Sequence, residues 1–231
     1  MPSIRENLQI VRDRIADAAV RAGRAPAEVR LLAVSKTFPV SDIREAFACG
    51  QLEFGENRVQ ELEEKCASFT EAQRPKWHLI GHIQTNKAAK AAVLADCIHS
   101  VDSVRLIEKL DRAAEKRLDV LLELNLSGED SKTGMTGGFD GFRLLADAVL
   151  RTEHLRLCGL MTMAAPDAGE KAIRSVFAEA RSIRDRAEKV YGMHFPELSM
   201  GMSGDFEYAI AEGATIVRIG TAVFGGREYP V

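Results

Sequence analysis

One rhythm constrains this chain more than any other feature: eight short apolar, β-branched runs, separated by longer amphipathic ones. The runs fall at residues 30–36, 52–55, 78–83, 97–101, 120–126, 156–163, 197–202 and 215–219. Helical spacing fills the intervals, for example at 41–49, 58–69, 103–117, 139–151, 170–190 and 205–212, and another helical stretch, 4–22, precedes the first run. Several runs, such as Leu31-Leu32-Ala33-Val34 and Val120-Leu121-Leu122, are continuously apolar rather than alternating. Strands look like this when both faces are buried, as in a parallel sheet covered by helices. Eight of them with helices between predict an α/β fold, closed as a single (β/α)8 TIM-type barrel with an extra N-terminal helix. An open doubly wound sheet is the alternative. No G-x-G-x-x-G follows the first run, which weakens the dinucleotide-binding form of that alternative.

A barrel of this kind accommodates all 231 residues as one domain, 1–231. With 46% hydrophobic and 28% charged residues, the chain has the balance of an ordinary globular protein rather than a disordered one. A net charge of -3 provides no bulk basic field, so neither nucleic acid nor a membrane surface is an expected partner. No stretch approaches the roughly 18 apolar residues of a membrane span. Residues 1–14 are charged throughout and lack the apolar centre of a secretory signal. Cys49, Cys66, Cys97 and Cys158 form no CxxC pair and suit neither a zinc site nor a disulfide framework. Reduced thiols in a cytoplasmic protein are expected. No apolar stripe is clearly left over from barrel packing, and a monomer or weak dimer is expected.

Active sites of such barrels lie where the strands end. The strand ends here carry Lys36, Glu56-Asn57, His82, Asp102, Asn125, Met161 to Met163, Met202-Ser203-Gly204 and Gly220-Thr221. The loops after the seventh and eighth strands commonly hold a phosphate. In this chain they read Gly201-Met202-Ser203-Gly204-Asp205 and Gly220-Thr221. Glycines admit an anion close to the backbone, the hydroxyls donate, and a helix start adds partial positive charge. Ordinary turns and N-caps use the same residue types, so either loop alone is weak evidence. Lys36 sits in an apolar setting, Ala33-Val34-Ser35-Lys36-Thr37-Phe38-Pro39. An inward-facing lysine loses charge on burial and becomes a better nucleophile toward an aldehyde. The bland alternative is a strand-end lysine that reaches out to solvent. A lysine facing a phosphate-binding rim is the minimal apparatus for pyridoxal 5′-phosphate (PLP).

Other clusters carry less. His78 and His82 lie on a strand pattern without the intervening Glu of H-E-x-x-H, so no metal site is expected there. Residues 128–133 contain a Lys-Thr pair but not P-loop spacing, and read as a flexible loop. Met161, Met163, Met200 and Met202 read mainly as core, although one of them could pack on a flat cofactor.

Six motifs in order resemble a known family. They are Ala33-Val34-Ser35-Lys36, Phe54-Gly55-Glu56-Asn57, the stretch from Trp77 to Lys87, Gly159-Leu160-Met161-Thr162-Met163, Leu198-Ser199-Met200-Gly201-Met202-Ser203 and Val217-Arg218-Ile219-Gly220-Thr221. Together they resemble the PLP homeostasis proteins (the YggS/PROSC family), and through them the barrel domain of alanine racemase, the type III fold of PLP proteins. The resemblance implies a Schiff base on Lys36, with Ser203, Gly220 and Thr221 on the phosphate. It also implies Arg218 at the pyridine nitrogen and Asn57 near the ring, and Met202 joins the expected set. It assigns Lys132 no role. Arginine has no proton acceptor and keeps its charge, so the ring nitrogen is expected unprotonated and the cofactor a poor electron sink.

Two functions compete. One is PLP homeostasis, meaning buffering or delivery of the cofactor, with PLP-dependent apo-enzymes as possible recipients. The other is a PLP-dependent amino-acid racemase. A racemase needs an acid/base group on each face of the substrate. In alanine racemase a tyrosine from a second domain supplies one of them. This sequence holds only Tyr191, Tyr208 and Tyr229, and no such domain is expected to follow its eighth strand. The carrier reading, without enzyme activity, is therefore preferred. A bare barrel scaffold with no cofactor is the third possibility.

Overall fold

The computed structural model describes residues 2–70, 73–128 and 133–226. Helix α1 (Ile4–Arg21) opens the chain, started by a capping box in which Ser3 and Glu6 satisfy each other's backbone N–H groups. Eight parallel strands follow: β1 (Arg30–Val34), β2 (Glu53–Glu56), β3 (Lys76–Leu79), β4 (Cys97–Val101), β5 (Leu118–Glu123), β6 (Leu155–Met161), β7 (Glu197–Ser199) and β8 (Ile216–Ile219). They pair in sequence order, and β8 closes on β1. The expected TIM-type barrel with its extra N-terminal helix is the fold of this chain.

Helices between the strands form the outer ring: α2 (Val40–Ala48), α3 (Val59–Cys66), α4 (Ala88–Leu94), α5 (Val104–Ala113), α6 (Gly138–Val149), α7 (Glu170–Tyr191) and α8 (Phe206–Ala211). After β8 comes only a short helix, α9 (Thr221–Phe224). Helix α1 packs against α8, α9 and α2, so it covers the wall between β8 and β1. Its inner face carries Leu8, Val11, Ile15, Ala18 and Ala19, an i, i+3, i+4 stripe that explains why it docks. Among the described residues no helix is long and apolar enough to cross a membrane.

The main apolar core lies between sheet and helices, with Phe54, Trp77, Phe142, Phe177 and Phe206 at its bulkiest points. The inside of the barrel is divided. Cys97, Leu121, Cys158 and Met161 form a separate apolar cluster on the β4–β6 side. The buried polar residues His78, His99, Ser199 and Arg218 are linked by hydrogen bonds in the same interior.

Only β4 keeps its expected bounds, and two of the departures shape the rim. The third strand occupies Lys76–Leu79, not 78–83. Beyond it, Gly81 lies on the backbone of Asn57, where a Cβ would meet the Asn57 oxygen at 2.4 Å. The chain therefore bends over the end of β2. The fifth strand ends at Glu123, not at 126. There the returning segment takes over the pairing: Met135 donates its N–H to Glu123 O, and Asn125 donates to Met135 O.

Candidate cofactor site

A cavity of about 380 Å³ opens at the C-terminal rim of the barrel. All seven residues expected from the sequence line it: Lys36, Asn57, Met202, Ser203, Arg218, Gly220 and Thr221. They come from four different strand ends, so the closure of the barrel brings them together. Lys36 is half-buried, two residues past β1. Gly220 begins the turn from β8 into α9 and crosses β1 closely; a Cβ there would lie 2.9 Å from Val34 O. Gly201, with φ 92°, turns the chain after β7, and Met202 N–H donates to the Asp205 carboxylate at 2.5 Å. Ser203 and Gly204 then line the cavity, with one strand, β8, between theirs and that of Lys36. Asp205 is the N-cap of the short α8, but its carboxylate bonds the loop amide of Met202 and none in the helix's first turn.

Arg218 is the buried cation of the site. Its Nη1 donates to Ser199 O at 2.7 Å and to Ser199 Oγ at 2.9 Å, and its Nη2 donates to Thr162 O at 3.1 Å. Burial lowers its pKa to about 10, partly offset by the carboxylates of Asp205 and Glu123. The hydrogen bonds run on through neutral groups. His99 Nδ1 lies 2.9 Å from Ser199 Oγ, and His78 Nδ1 lies 2.8 Å from His99 Nε2. Arginine can only donate, so Ser199 Oγ accepts from it and shares a second hydrogen bond with His99 Nδ1. His99 Nε2 and His78 Nδ1 share the next bond, and His78 Nε2 is left buried without a partner. Burial, with the cations Lys76 and Arg30 nearby, holds both imidazoles well below their usual range and therefore neutral.

Sequence reasoning missed several residues of this cavity. Glu123 was one position set too early to notice, because the fifth strand was expected to reach 126. It is buried, accepts a 2.6 Å hydrogen bond from Thr133 Oγ1, and has its pKa raised by burial. His82 and Met163, both read from the sequence as strand-end residues, line the same cavity, His82 with its Nδ1 3.0 Å from Asp102, and Ile80, Gly81 and Val34 complete the apolar wall. Asn125, read as a rim residue, instead accepts from Ser127 and is not part of the lining. Lys132 lies outside the described residues. His78 and His82 are not partners; His78 pairs with His99 instead. His78, Cys97 and His99 bring donor atoms within 4.8 Å of one another. Both ring nitrogens of His99 are already engaged, and the charges acting on the rings are chiefly cationic, an environment hostile to a metal ion.

Behind Lys36 lies a buried ionic network with no counterpart in the expectations. Lys65 Nζ donates at 2.7 Å to Glu56 Oε1, to Glu61 Oε1 and to the Ser35 carbonyl. Ser35 Oγ donates to the same Glu56 oxygen at 2.6 Å. Glu56 Oε2 meets no partner, and burial raises the carboxyl to about 7 against the pull of Lys65 and Ser35. The signal was present in the sequence. Val59, Leu62 and Lys65 share the inner face of α3, so a lysine stands where a third apolar residue is expected.

A lysine, a buried arginine and a glycine- and hydroxyl-rich rim around one cavity suit an aldehyde-bearing, phosphorylated aromatic ring. Fold and site together define a barrel of the PLP-protein type, and comparison with known proteins agrees. A family model described as the alanine racemase N-terminal domain matches residues 2–228. The chain is 44% identical to the pyridoxal phosphate homeostasis protein of Escherichia coli (strain K12), over 99% of each chain. It matches PipY of Synechococcus elongatus PCC7942, solved with PLP bound, at a TM-score of 0.80 and 38% identity, covering 91% of this chain and 100% of that one. The alanine racemase of Clostridium difficile 630 shares the fold, at a TM-score of 0.75 and 14% identity, over 99% of this chain and 57% of that one. The chain belongs to the alanine racemase N-terminal domain family, among the pyridoxal phosphate homeostasis proteins.

Proposed function

We propose that this chain, as a single barrel unit, binds PLP in the rim cavity, holds it as a Schiff base on Lys36 and serves PLP homeostasis in the cytoplasm. The observation that carries the reading is the convergence of Lys36, Arg218 and the Ser203, Gly220 and Thr221 rim on one cavity. When bound, PLP supplies an aldehyde that condenses with a primary amine and can be released again. The chain's own residues have the other tasks. Ser203, Thr221 and the backbone beside Gly220 bind the phosphate, Asn57 and Met202 flank the ring, and Arg218 meets the ring nitrogen with a donor that cannot take up a proton. The relatives' names point the same way: the Escherichia coli relative is a homeostasis protein, and PipY was solved with PLP bound. Delivery to PLP-dependent apo-enzymes by a monomer or weak dimer extends the reading.

The racemase alternative has one observation in its favour. His82, bonded to Asp102, is an acid/base group on the cavity wall. Its side chain is 50% exposed, however, and water there competes for any substrate proton. Neither described tyrosine reaches the cavity: Tyr191 donates to Asp147, and Tyr208 lies beneath Arg174. Borohydride reduction of the PLP-loaded chain, followed by peptide mapping, tests the primary reading. The adduct is expected on Lys36 and absent in Lys36→Ala; an adduct mapped elsewhere in both proteins refutes it. Rapid Cα deuterium exchange on a panel of amino acids, lost in Lys36→Ala, would favour the racemase.

A further inference from the structure

We propose that the Lys65–Glu61 ion pair on α3 is a clamp on the backbone of Lys36, which fixes the direction in which that side chain enters the cavity. The proposal rests on Lys36 being the PLP tether. Lys65 Nζ donates to the carbonyl of Ser35 at 2.7 Å, in the peptide group that leads into Lys36. Glu61 Oε1 accepts from the N–H of Thr37 at 2.5 Å, in the peptide group that leads out of it. The two side chains meet at 2.7 Å, one helical turn apart. Both peptide groups flanking Lys36 are thus gripped by a single ion pair, the C=O by the cation and the N–H by the anion.

Thr37 shows what the grip opposes. It is the only non-glycine residue with positive φ among those described, at 69°. For a β-branched residue this conformation is strained, and it is stable only where surrounding contacts over-determine it. Without the Glu61 bond the chain after Lys36 would relax toward extended backbone and carry the Cα–Cβ vector of Lys36 with it. Glu56 ties the clamp to the sheet by bonding Lys65 and Ser35 through one oxygen. An apolar pair of similar size would hold α3 on the barrel as well or better. It could not grip two peptide groups of opposite polarity. Neither Lys65 nor Glu61 lines the cavity, so both are positioning residues. The chemistry they serve is balanced without them: the amine lone pair attacks the aldehyde carbon, C=N replaces C=O, and the oxygen leaves as water.

The test uses the full chain freed of cofactor, as wild type, Glu61→Ala and Glu61→Gln. Growth of the C=N absorbance after PLP is added measures presentation of the amine. Binding of pyridoxine 5′-phosphate, an alcohol that forms no such bond, measures the cavity itself. Glu61→Ala is expected to slow the growth about tenfold with analogue affinity unchanged, since small misplacements of a reacting group cost this much or more. Glu61→Gln, which keeps an acceptor for the Thr37 N–H, should recover most of the rate. Amide exchange at Thr37, read without any cofactor, should quicken in Glu61→Ala. An unchanged rate, or an equal loss of rate and analogue affinity, overturns the clamp. Should Glu61→Ala fail to fold, the double variant Lys65→Met with Glu56→Gln is read by the same criteria. If wild type forms no C=N bond at Lys36, the tether reading fails, and the Thr37 exchange alone decides whether the clamp exists.

Discussion

The two walls of the cavity are held by opposite chemistry. Beneath Lys36 the support is ionic: Lys65, Glu56 and Glu61 share short charge-assisted bonds. Beneath Arg218 the support is neutral: two backbone carbonyls, a serine hydroxyl and two uncharged imidazoles. The contrast follows from what each wall presents. Arg218 is a permanent cation whose task is to stay put, and spare acceptors are enough to hold it. On the proposed reading Lys36 leaves a strained backbone at a defined angle, and the paired cation and anion supply a donor for one flanking C=O and an acceptor for the other flanking N–H.

Three changes test this contrast. The largest effect is expected from Lys65→Met, which leaves Glu56 buried without its cation. Loss of one partner from a buried pair costs roughly 3 kcal/mol or more, and urea unfolding should record it. Adding Glu56→Gln should return part of the loss; no recovery would mean that the pair does not act as a unit.

The pH dependence sharpens the same wall. Glu56 has a folded pKa of about 7 against an ordinary 4.5. Between those values the folded chain holds more protons than the unfolded one, so the contribution of Glu56 to stability is present below about pH 4.5 and is lost as pH rises through 7. Wild type should therefore lose on the order of 3 kcal/mol relative to Glu56→Gln across that window. Parallel stability curves for the two proteins would contradict it.

The smallest effect belongs to the neutral wall. Ser199→Ala removes one of three hydrogen bonds to Arg218 and the link to His99, yet both carbonyl acceptors remain. A loss of about 1–2 kcal/mol is expected, with Arg218 unmoved in a crystal structure of the variant. A loss as large as that of Lys65→Met would erase the distinction between the walls.

Much of this was legible in the residues themselves. The eight apolar runs and their helical intervals defined the barrel, because burial on both faces leaves a mark on each strand separately. Lys36, Asn57, Ser203, Gly220 and Thr221 could be read as a set because strand ends point to a common rim in this fold, whereas Arg218, inside β8, entered only through the family resemblance. Glu123 escaped because the end of β5 is determined by pairing with the segment around Met135, which no local period encodes.

By itself, then, the sequence determined the barrel, its order of elements and which residue types stand at its rim, since periodicity and turn chemistry are local properties. Tertiary structure alone decided how those residues are supported. Lys65 reaches Ser35 across 30 residues, and His99 reaches Ser199 across 100. Such partners depend on strand register and on which side of the closed barrel each side chain faces, and neither exists until the eighth strand has met the first.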